Sequence, residues 1–436
     1  MSRIATNLTL AITISIVCGC ASRRQCPPPA CSPYVSEKTE IIVAPISNEG
    51  VGYDFSGIPN YESVKQSLFD KIATGGSIPI SLQDVVCLAA KNSEAADLLE
   101  AERYAIACQS RQATKERSGS IDLILQGEAL EQRNISAGAA AELFLRLVEV
   151  ELQSALLVET KQHLAKLRET TQAADEAGFA TADAKNELAN SDIEIKETES
   201  KLSAAKQELM FRLNQMVNAD LDNPIDFRVS HMLRPEAIPF NIKQQNDIAS
   251  SNRPGVRAAE MAIANGVGTN SIYKLLSQFD SRIGVQLTPA SIKSKFLRKQ
   301  VLDMLKPNEE NDTTIETRKV QLQQIVDARR MAARAEVSKA LLEIQTALEG
   351  LAIAQEDIDR LNIQAEQLES KKELERDEAM IESNQNWVQR QKAKSKRVTL
   401  AIEHEIATIK LFQAQGELIR ECGFQLDETA NNCNCP

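Results

Sequence analysis

Leucine and isoleucine recur at heptad spacing in the last third of the first half of the chain, from Leu143 to Met216. In the second part of this stretch they occupy one heptad position, with small Ser191, Thr198 and Ala205 between them: Leu188, Ile195, Leu202, Leu209 and Met216. This spacing is typical of one seam of a coiled coil. The second part of the stretch is therefore predicted to be a long helix that packs against a neighbour along one face.

The first part of the same stretch carries two apolar stripes instead of one. One stripe is formed by Leu143, Leu147, Val150, Leu157 and Leu164, and the other by Leu145, Val148, Leu152 and Ala155. A helix with two such stripes has a neighbour on each side, so it belongs in a layer or closed wall of helices. Between the two parts, Gly178 can end one helix and Thr181 can cap the next. The whole stretch predicts a helical hairpin.

A shorter helix is predicted before the hairpin. Ser81 is placed as its N-cap and Asp84 as the partner that completes a capping box. The helical pattern continues to about Thr114 and is expected to break at Ser118-Gly119-Ser120. The next helix, which leads into the hairpin, is expected to be irregular at residues 134–138.

The second half of the chain repeats this plan. The two halves are separated by a non-helical connector marked by three prolines: Pro224, Pro235 and Pro239. Residues 252–260 open another helix, residues 282–287 alternate as a strand would, and long helices are predicted over about 315–376 and 381–420. This order indicates a tandem duplication with a period of about 170 to 190 residues, much longer than a solenoid repeat.

The first twenty residues indicate export. Arg3 precedes an apolar run from Leu8 to Val17, which is too short to span a bilayer as a mature helix and is predicted to be a secretory signal. The sequence Val17-Cys18-Gly19-Cys20 resembles the bacterial lipobox, which implies cleavage before Cys20 and lipidation of that residue. A generic signal peptide with a fortuitous cysteine is the alternative. A lipid on Cys20 would hold the protein at a membrane surface.

The composition agrees with long helices, because aromatic residues make up only 4% of the chain and charged residues 25%. The net charge of −11 argues against a nucleic-acid partner. Nine cysteines in an exported chain suggest disulfides. Cys87 and Cys108 fall in one predicted helix, ~30 Å apart, and cannot pair with each other. A staple between the termini is left open, and its candidates are Cys26, Cys31, Cys422, Cys433 and Cys435.

No catalytic or cofactor-binding pattern stands out in the sequence. The three histidines, His163, His231 and His404, are widely spaced and have no metal-ligand partners nearby. Glycine-rich phosphate loops, Gly-x-Ser-x-Gly and His-Glu-x-x-His motifs do not occur. Trp387, the one tryptophan, is expected to be a packing anchor. The protein is predicted not to be an enzyme and to need no cofactor or metal.

The order of these features resembles the outer-membrane efflux protein (TolC) family. Residues 81–92 look like the opening helix of that family, residues 252–260 look like its counterpart in the second repeat, and residues 177–183 are similar to the periplasmic hairpin tip. The resemblance covers about residues 78 to 416. It implies a mainly α-helical fold of long antiparallel hairpins in a duplicated α-barrel or coiled-coil arrangement, and a location at the outer membrane.

The resemblance also implies partners. Members of the family form trimers, and their hairpin tips dock onto a periplasmic adaptor protein of an inner-membrane pump. Carried over by position, the adaptor-facing residues are Gly178, Phe179, Thr181 and Asp183. The second tip, at residues 378–383, has no glycine, which puts its contact in doubt. Family members also insert β-hairpins, but only residues 109–120 and the short segment 283–287 are available here. A strand needs about 9–11 residues to cross a bilayer, so little or no β-barrel is expected.

Two functions are consistent with the sequence. The first is a TolC-like outer-membrane lipoprotein that forms part of a periplasmic duct in a tripartite efflux or type I secretion system. The second is a non-conducting periplasmic coiled-coil scaffold derived from the same family. The predicted organisation is a signal peptide (1–19), a lipidated tether (20–77), a first repeat (78–223), a connector (224–251), a second repeat (252–420) and a cysteine-containing tail (421–436).

Overall fold

A computed structural model describes the protein over most of the two predicted repeats. The described residues are 78–109, 115–176, 182–217, 226–229, 241–265, 268–279, 312–371 and 376–426, together with the single positions 233, 235, 299 and 303. All of them belong to one compact unit. The predicted signal, the predicted lipidation site Cys20 and the predicted strand at 282–287 lie outside these residues.

Helices dominate both halves. The first half contains β1 (Ile78–Ile80), α1 (Leu82–Lys91), α2 (Glu94–Gln109), α3 (Lys115–Glu176), α4 (Ala182–Met216) and β2 (Phe227–Val229). The second half contains α5 (Ile242–Asn252), α6 (Pro254–Ala264), α7 (Thr269–Phe279), α8 (Asp312–Lys371), α9 (Arg376–Gln415) and α10 (Glu417–Glu421). Short helices followed by a long hairpin therefore occur twice, which confirms the predicted fold class and duplication.

The start of the first repeat follows its local sequence signals. Ser81 Oγ accepts a hydrogen bond from the backbone of Asp84 at 3.1 Å, and the Asp84 carboxylate accepts one from the backbone of Ser81 at 3.0 Å. This is the predicted capping box. The helix was predicted to continue to Thr114, but α1 ends at Lys91. Asn92 forms its C-cap and its side chain donates to the backbone oxygen of Val217 at 3.0 Å, so a long-range contact ends the helix early.

Two predicted irregularities in α3 are wrong. Ser118, Gly119 and Ser120 do not break the helix, because Ser120 and Ile121 are buried where α3 packs against α2 and α7. Tertiary packing overrides the low helix propensity of serine and glycine here. Residues 134–138 are also helical. These residues contact α9 instead. The side-chain amide of Asn134 donates a hydrogen bond to the backbone oxygen of Gln413 at 2.7 Å.

The long helices form a layer in the order α4, α3, α9, α8. Helix α3 contacts α4 on one side and α9 on the other, and α9 in turn contacts α8. This arrangement confirms that the helix with two apolar stripes has two neighbours. Helices α4 and α8 therefore lie at the two edges of the layer. We call the end where the hairpins turn the tip end and the opposite end the root end.

The root end carries the core of the molecule. One apolar cluster joins α1, β1 and β2 to α3, α9 and α10, a second joins α2, α6 and α7 to α3 and α8, and a third joins α5 to α8 and α9. Strands β1 and β2 pair in parallel, with Ile78 opposite Phe227. A disulfide between Cys87 and Cys422 links α1 to the end of the chain, with their Cα atoms 5.2 Å apart. Within the described part of the chain, no helix is both long and apolar enough to cross a membrane.

Candidate functional site

The predicted tip residues lie between the end of α3 and the first turn of α4. Gly178, Phe179 and Thr181 lie outside the described residues. Asp183 lies in the first turn of α4. Their role in binding an adaptor therefore stays a prediction, as does lipidation of Cys20. The described residues do include the two edges of the helical layer, which are formed by α4 and α8.

The outward face of α8 carries a row of large apolar side chains that solvent reaches. Each is between 56 and 62% exposed: Val320, Met331, Leu342, Ile353 and Ile363. They recur at a spacing of about eleven residues, which is close to three full turns and keeps them on one face of a straight helix. At 1.5 Å per residue the row is ~65 Å long. We call these five residues the α8 stripe.

The α8 stripe points away from the rest of the protein. Val337, Leu341 and Ile344 lie on the opposite face of α8 and are buried where it packs against α5 and α9. A surface helix normally buries its apolar face and exposes a polar one. A second apolar face on the same helix indicates a contact that the described part of the single chain does not supply.

The other edge of the layer carries a matching row. Ile193 and Phe211 on α4 are 57 and 55% exposed and lie five turns apart, on the same helical face. Exposed Ser200 and Ala204 lie between them and leave room for a partner helix to approach. The predicted heptad seam of α4 lies on its opposite face and is partly buried against α3. We call Ile193, Ser200, Ala204 and Phe211 the α4 stripe.

Contacts between neighbouring long helices fix the positions of the two stripes along the helix axes. We call the position of a residue along these axes its height. Lys161 on α3 pairs with Glu199 on α4 at 2.6 Å. Further along the layer, Glu159 on α3 pairs with Lys394 on α9 at 3.3 Å. Arg390 on α9 then donates to Asn362 on α8 at 3.1 Å. Counted along the antiparallel helices from these contacts, Phe211 lies at the height of Ile353 to within about one and a half turns.

The α8 stripe extends beyond the end of α4 toward the root end. There, Arg329 of α8 pairs with Glu128 of α3 at 2.7 Å, so Met331 lies at the height of this part of α3. Helix α2 packs on α3 at the same height, and its exposed Leu98 provides an apolar side chain there. Leu98 thus lies near the height of Met331, as Phe211 lies near the height of Ile353.

A network of buried ion pairs holds the second-repeat helices in place between α3 and α8. Arg253, at the junction of α5 and α6, donates to Glu131 at 2.7 Å and also pairs with Glu336. Arg329 pairs with Glu128 and donates to the backbone oxygen of Gly255 at 3.0 Å. From the sequence, residues 252–260 indicate a helix start and a counterpart of the first repeat's opening helix, but not this network, which depends on contacts between distant segments.

Burial and charge act against each other in this network. Burial raises the pKa of Glu128, while the guanidinium of Arg329 opposes that rise. Burial acts to lower the pKa of Arg253, but the carboxylates of Glu131 and Glu336 outweigh it and raise the pKa. Arg253 is therefore a fixed positive charge that ties the first repeat to the second.

The two hairpins also meet through a ring contact nearer the tip end. Trp387 on α9 stacks on His163 on α3, with ring centroids 3.9 Å apart and planes 7° from parallel. Trp387 thus packs between helices, as a packing anchor does. Among the described residues, no three or more His, Cys, Asp or Glu side chains are grouped to hold a metal ion.

The comparisons with known proteins rest on structure alone. No protein-family model matches the chain, and no curated protein matches its sequence. The chain is similar to a crystal structure of a membrane protein from Pseudomonas aeruginosa, with a TM-score of 0.55, 14% identity, and coverage of 78% of this chain and 92% of that one. It is also similar to the Campylobacter jejuni CmeC outer membrane channel, with a TM-score of 0.51, 12% identity, and coverage of 80% of this chain and 90% of that one. The chain therefore has the fold of a TolC-like outer-membrane channel protein, built from long helical hairpins in a duplicated arrangement.

Proposed function

We propose that the protein is a TolC-like outer-membrane lipoprotein whose copies close into a helical wall, as the periplasmic duct component of a tripartite efflux or type I secretion system. The observation that carries this proposal is the pair of apolar stripes on opposite edges of the layer. An edge contact between different surfaces of two copies closes into a ring when the rotation permits. In such a ring the α8 stripe of each copy is covered by the first-repeat edge of the next.

The heights of the stripes support this arrangement. A rotation about an axis parallel to the long helices leaves every residue at its own height, so each side chain of the α8 stripe meets the neighbour at that height. Ile353 then faces Phe211 of the next copy, and Met331 faces Leu98. The small side chains of Ser200 and Ala204 let the two helices approach closely between the larger contacts.

These contacts supply part of the free energy that a stable ring needs. Complete burial of a large aliphatic side chain contributes about 1.5–3 kcal/mol, and the stripe residues are already partly covered, so each adds about 1 kcal/mol on assembly. The large side chains of the two stripes together give roughly 7 kcal/mol per interface before the cost of association. A charge placed in the middle of the α8 stripe would remove much of this, because it would be buried without a partner.

The remaining parts of the proposal come from the resemblance in sequence. The ring contains three copies, a lipid on Cys20 holds it at the outer membrane, and the tip residues Gly178, Phe179, Thr181 and Asp183 bind a periplasmic adaptor of an inner-membrane pump. The protein acts as a conduit and catalyses no reaction. The two solved structures named above are described as a membrane protein and an outer membrane channel, which supports this proposal at the level of the fold.

The test combines mass and conductance on the same detergent-extracted sample. Light scattering on the wild type is expected to give a trimer, and single-channel recording then decides whether that trimer conducts. Ile353→Glu is expected to lower the mass to that of a monomer. Val158→Glu is the matched control, because Val158 is 53% exposed but lies on α3, inside the layer rather than at its edge.

Each outcome bears on a different part of the proposal. A wild type that stays monomeric at all concentrations would overturn the ring. A trimer that does not conduct would favour the alternative, a structural scaffold with the same helices. If Val158→Glu dissociated the protein as readily as Ile353→Glu, the edge stripes would not be the interface.

A further inference from the structure

The last described segment of the chain crosses from the second repeat back to the first. We call residues 416–426 the C-terminal strap. It leaves α9 beside the junction of α5 and α6, buries Leu418 and Ile419 of α10 in the cluster shared by α1 and α3, and then reaches Cys422, which is bonded to Cys87. The strap therefore joins the end of α9 to α1.

The strap begins at a turn that only glycine can make. Gly416 has a φ of +71°, and a Cβ atom there would lie 2.8 Å from Cδ of Pro254 and 3.2 Å from the backbone oxygen of Asn252. The positive φ disfavours any other residue. The close approach fixes the direction in which the strap leaves α9.

A second glycine folds the end of the strap onto α1. Gly423 has a φ of +82°, its backbone nitrogen donates to the oxygen of Arg420, and that of Phe424 donates to the oxygen of Ile419 at 3.0 Å. These two bonds form a Schellman motif. They place the ring of Phe424 against the guanidinium of Arg133, 4.9 Å from the ring centroid.

Arg133 links the strap to the end of α1. Its guanidinium donates to the backbone oxygens of Ala90 and Lys91 at 2.8 and 3.0 Å, which are among the carbonyls that the last turn of α1 leaves unpaired. Arg133 thus holds the end of α1 and is itself covered by the ring of Phe424. The disulfide holds α1 at Cys87, about one turn earlier. Of these, only the disulfide is covalent.

We propose that the C-terminal strap is a redox-controlled lock, which docks stably on α1 only after Cys87 and Cys422 have been oxidised by a protein disulfide of the cell envelope. Helix α10 spans only Glu417–Glu421, and a helix this short is not stable without support from its surroundings. The bond supplies that support by joining two residues that are 335 positions apart in the sequence. The lock can close only when the whole chain is present.

The exposure of the two cysteines indicates the order of the thiol–disulfide exchange. Cys422 is partly exposed, whereas Cys87 is buried beneath the strap. The Cys422 thiolate attacks the disulfide of the oxidant and forms a mixed disulfide, which releases one thiolate of the oxidant. The Cys87 thiolate then attacks the Cys422 sulfur, and the second oxidant sulfur leaves. The two cysteines lose two electrons and two protons, and the oxidant becomes a dithiol.

The lock does not depend on the proposed ring. Limited trypsin digestion of the full-length protein tests it. Arg420 lies within the strap and Lys410 lies in α9 just before it, so cleavage after each reports on a different element. In the oxidised protein, both sites are expected to be protected. After reduction and alkylation, cleavage after Arg420 is expected to rise at least tenfold while cleavage after Lys410 changes little.

Variants separate the bond from the packing around it. The double variant Cys87→Ala/Cys422→Ala is expected to behave as the reduced wild type, and Cys108→Ser as the oxidised wild type. Phe424→Ala keeps the bond and is expected to leave Arg420 protected. Unchanged protection of Arg420 after complete reduction would overturn the lock. An equal rise at Lys410 would also overturn it, because the bond would then support the whole fold rather than the strap.

Discussion

Replacing Arg253 tests whether buried ion pairs hold the two repeats in register. Its guanidinium donates from Nε and Nη2 to one oxygen of Glu131, at 2.9 and 2.7 Å. The Glu131 side chain is 13% exposed, whereas the second partner, Glu336, is 52% exposed. Arg253→Met keeps a side chain of similar length but removes the charge, so the Glu131 carboxylate stays buried without its ion-pair partner.

The burial of Glu131 sets the expected loss in the free energy of unfolding. Removing one partner of a fully buried ion pair costs about 3–5 kcal/mol, and since Glu131 keeps slight contact with water we expect a loss of about 2–4 kcal/mol in the free energy of unfolding. Glu336→Gln removes only the exposed partner and should cost less than about 1 kcal/mol. In the double variant Arg253→Met/Glu131→Met no buried carboxylate loses its partner, since Glu336 is exposed to water, so it should be more stable than Arg253→Met alone.

The assay is urea unfolding of the full-length variants, followed by circular dichroism. The midpoint and slope of each transition give the change in stability relative to the wild type, provided that the slope is unchanged. A loss from Glu336→Gln as large as that from Arg253→Met would refute the reasoning, since it would show that burial does not decide the cost. A double variant no more stable than Arg253→Met would show that the unpaired Glu131 is not its cause.

Further predictions concern packing, capping and pH. Gly127→Ala is expected to lower the free energy of unfolding by about 1–3 kcal/mol or more, because the new Cβ would lie 2.2 Å from Cβ of Ala258. In the same urea series, Gly138→Ala should cost less than about 1 kcal/mol, since it meets only the movable end of a glutamine side chain. Ser81→Ala should cost about 1 kcal/mol, measured in the same way, because it removes the N-cap of α1. Burial raises the pKa of Glu417, so its folded form favours the proton and stability falls as pH rises through that pKa. Glu417→Gln should therefore raise the thermal midpoint at neutral pH but not at acid pH.

The sequence predicted the long hairpins because their signals are local and repeated. Leu188, Leu202 and Leu209 recur along one face of α4, and the pattern needs no knowledge of the rest of the chain. The capping box at Ser81 was predictable for the same reason. Helix ends were less predictable. The early end of α1 depends on a bond from Asn92 to Val217, more than a hundred residues away.

The features missed in the candidate site differ in how far the sequence could have shown them. The α8 stripe was readable, since Val320, Met331 and Leu342 recur at about eleven residues on the face opposite the predicted core positions. The bond between Cys87 and Cys422 was not, because nothing local distinguishes that pair from the other cysteines. Only the fold brings α1 and the end of the chain together.

The seams between the long helices differ in polarity, and this difference indicates which contacts hold the two repeats together. Within the second hairpin the seam is apolar, with Val337, Leu341 and Ile344 buried against α5 and α9. Between the hairpins, nearer the tip end, the seam includes polar contacts such as that of Ser395 with Gln153 at 2.7 Å. Polar contacts of this kind contribute little net free energy, because water replaces them readily.

The relative placement of the two repeats therefore rests mainly on the root end. There the ion pairs of Arg253 with Glu131 and of Arg329 with Glu128 cross from one repeat to the other, and the bond between Cys87 and Cys422 closes the chain covalently. All of these contacts lie far from the hairpin turns. Each hairpin is held along its own seam, and the two repeats are tied to each other most firmly at the root end, where the ion pairs and the disulfide add to the apolar packing.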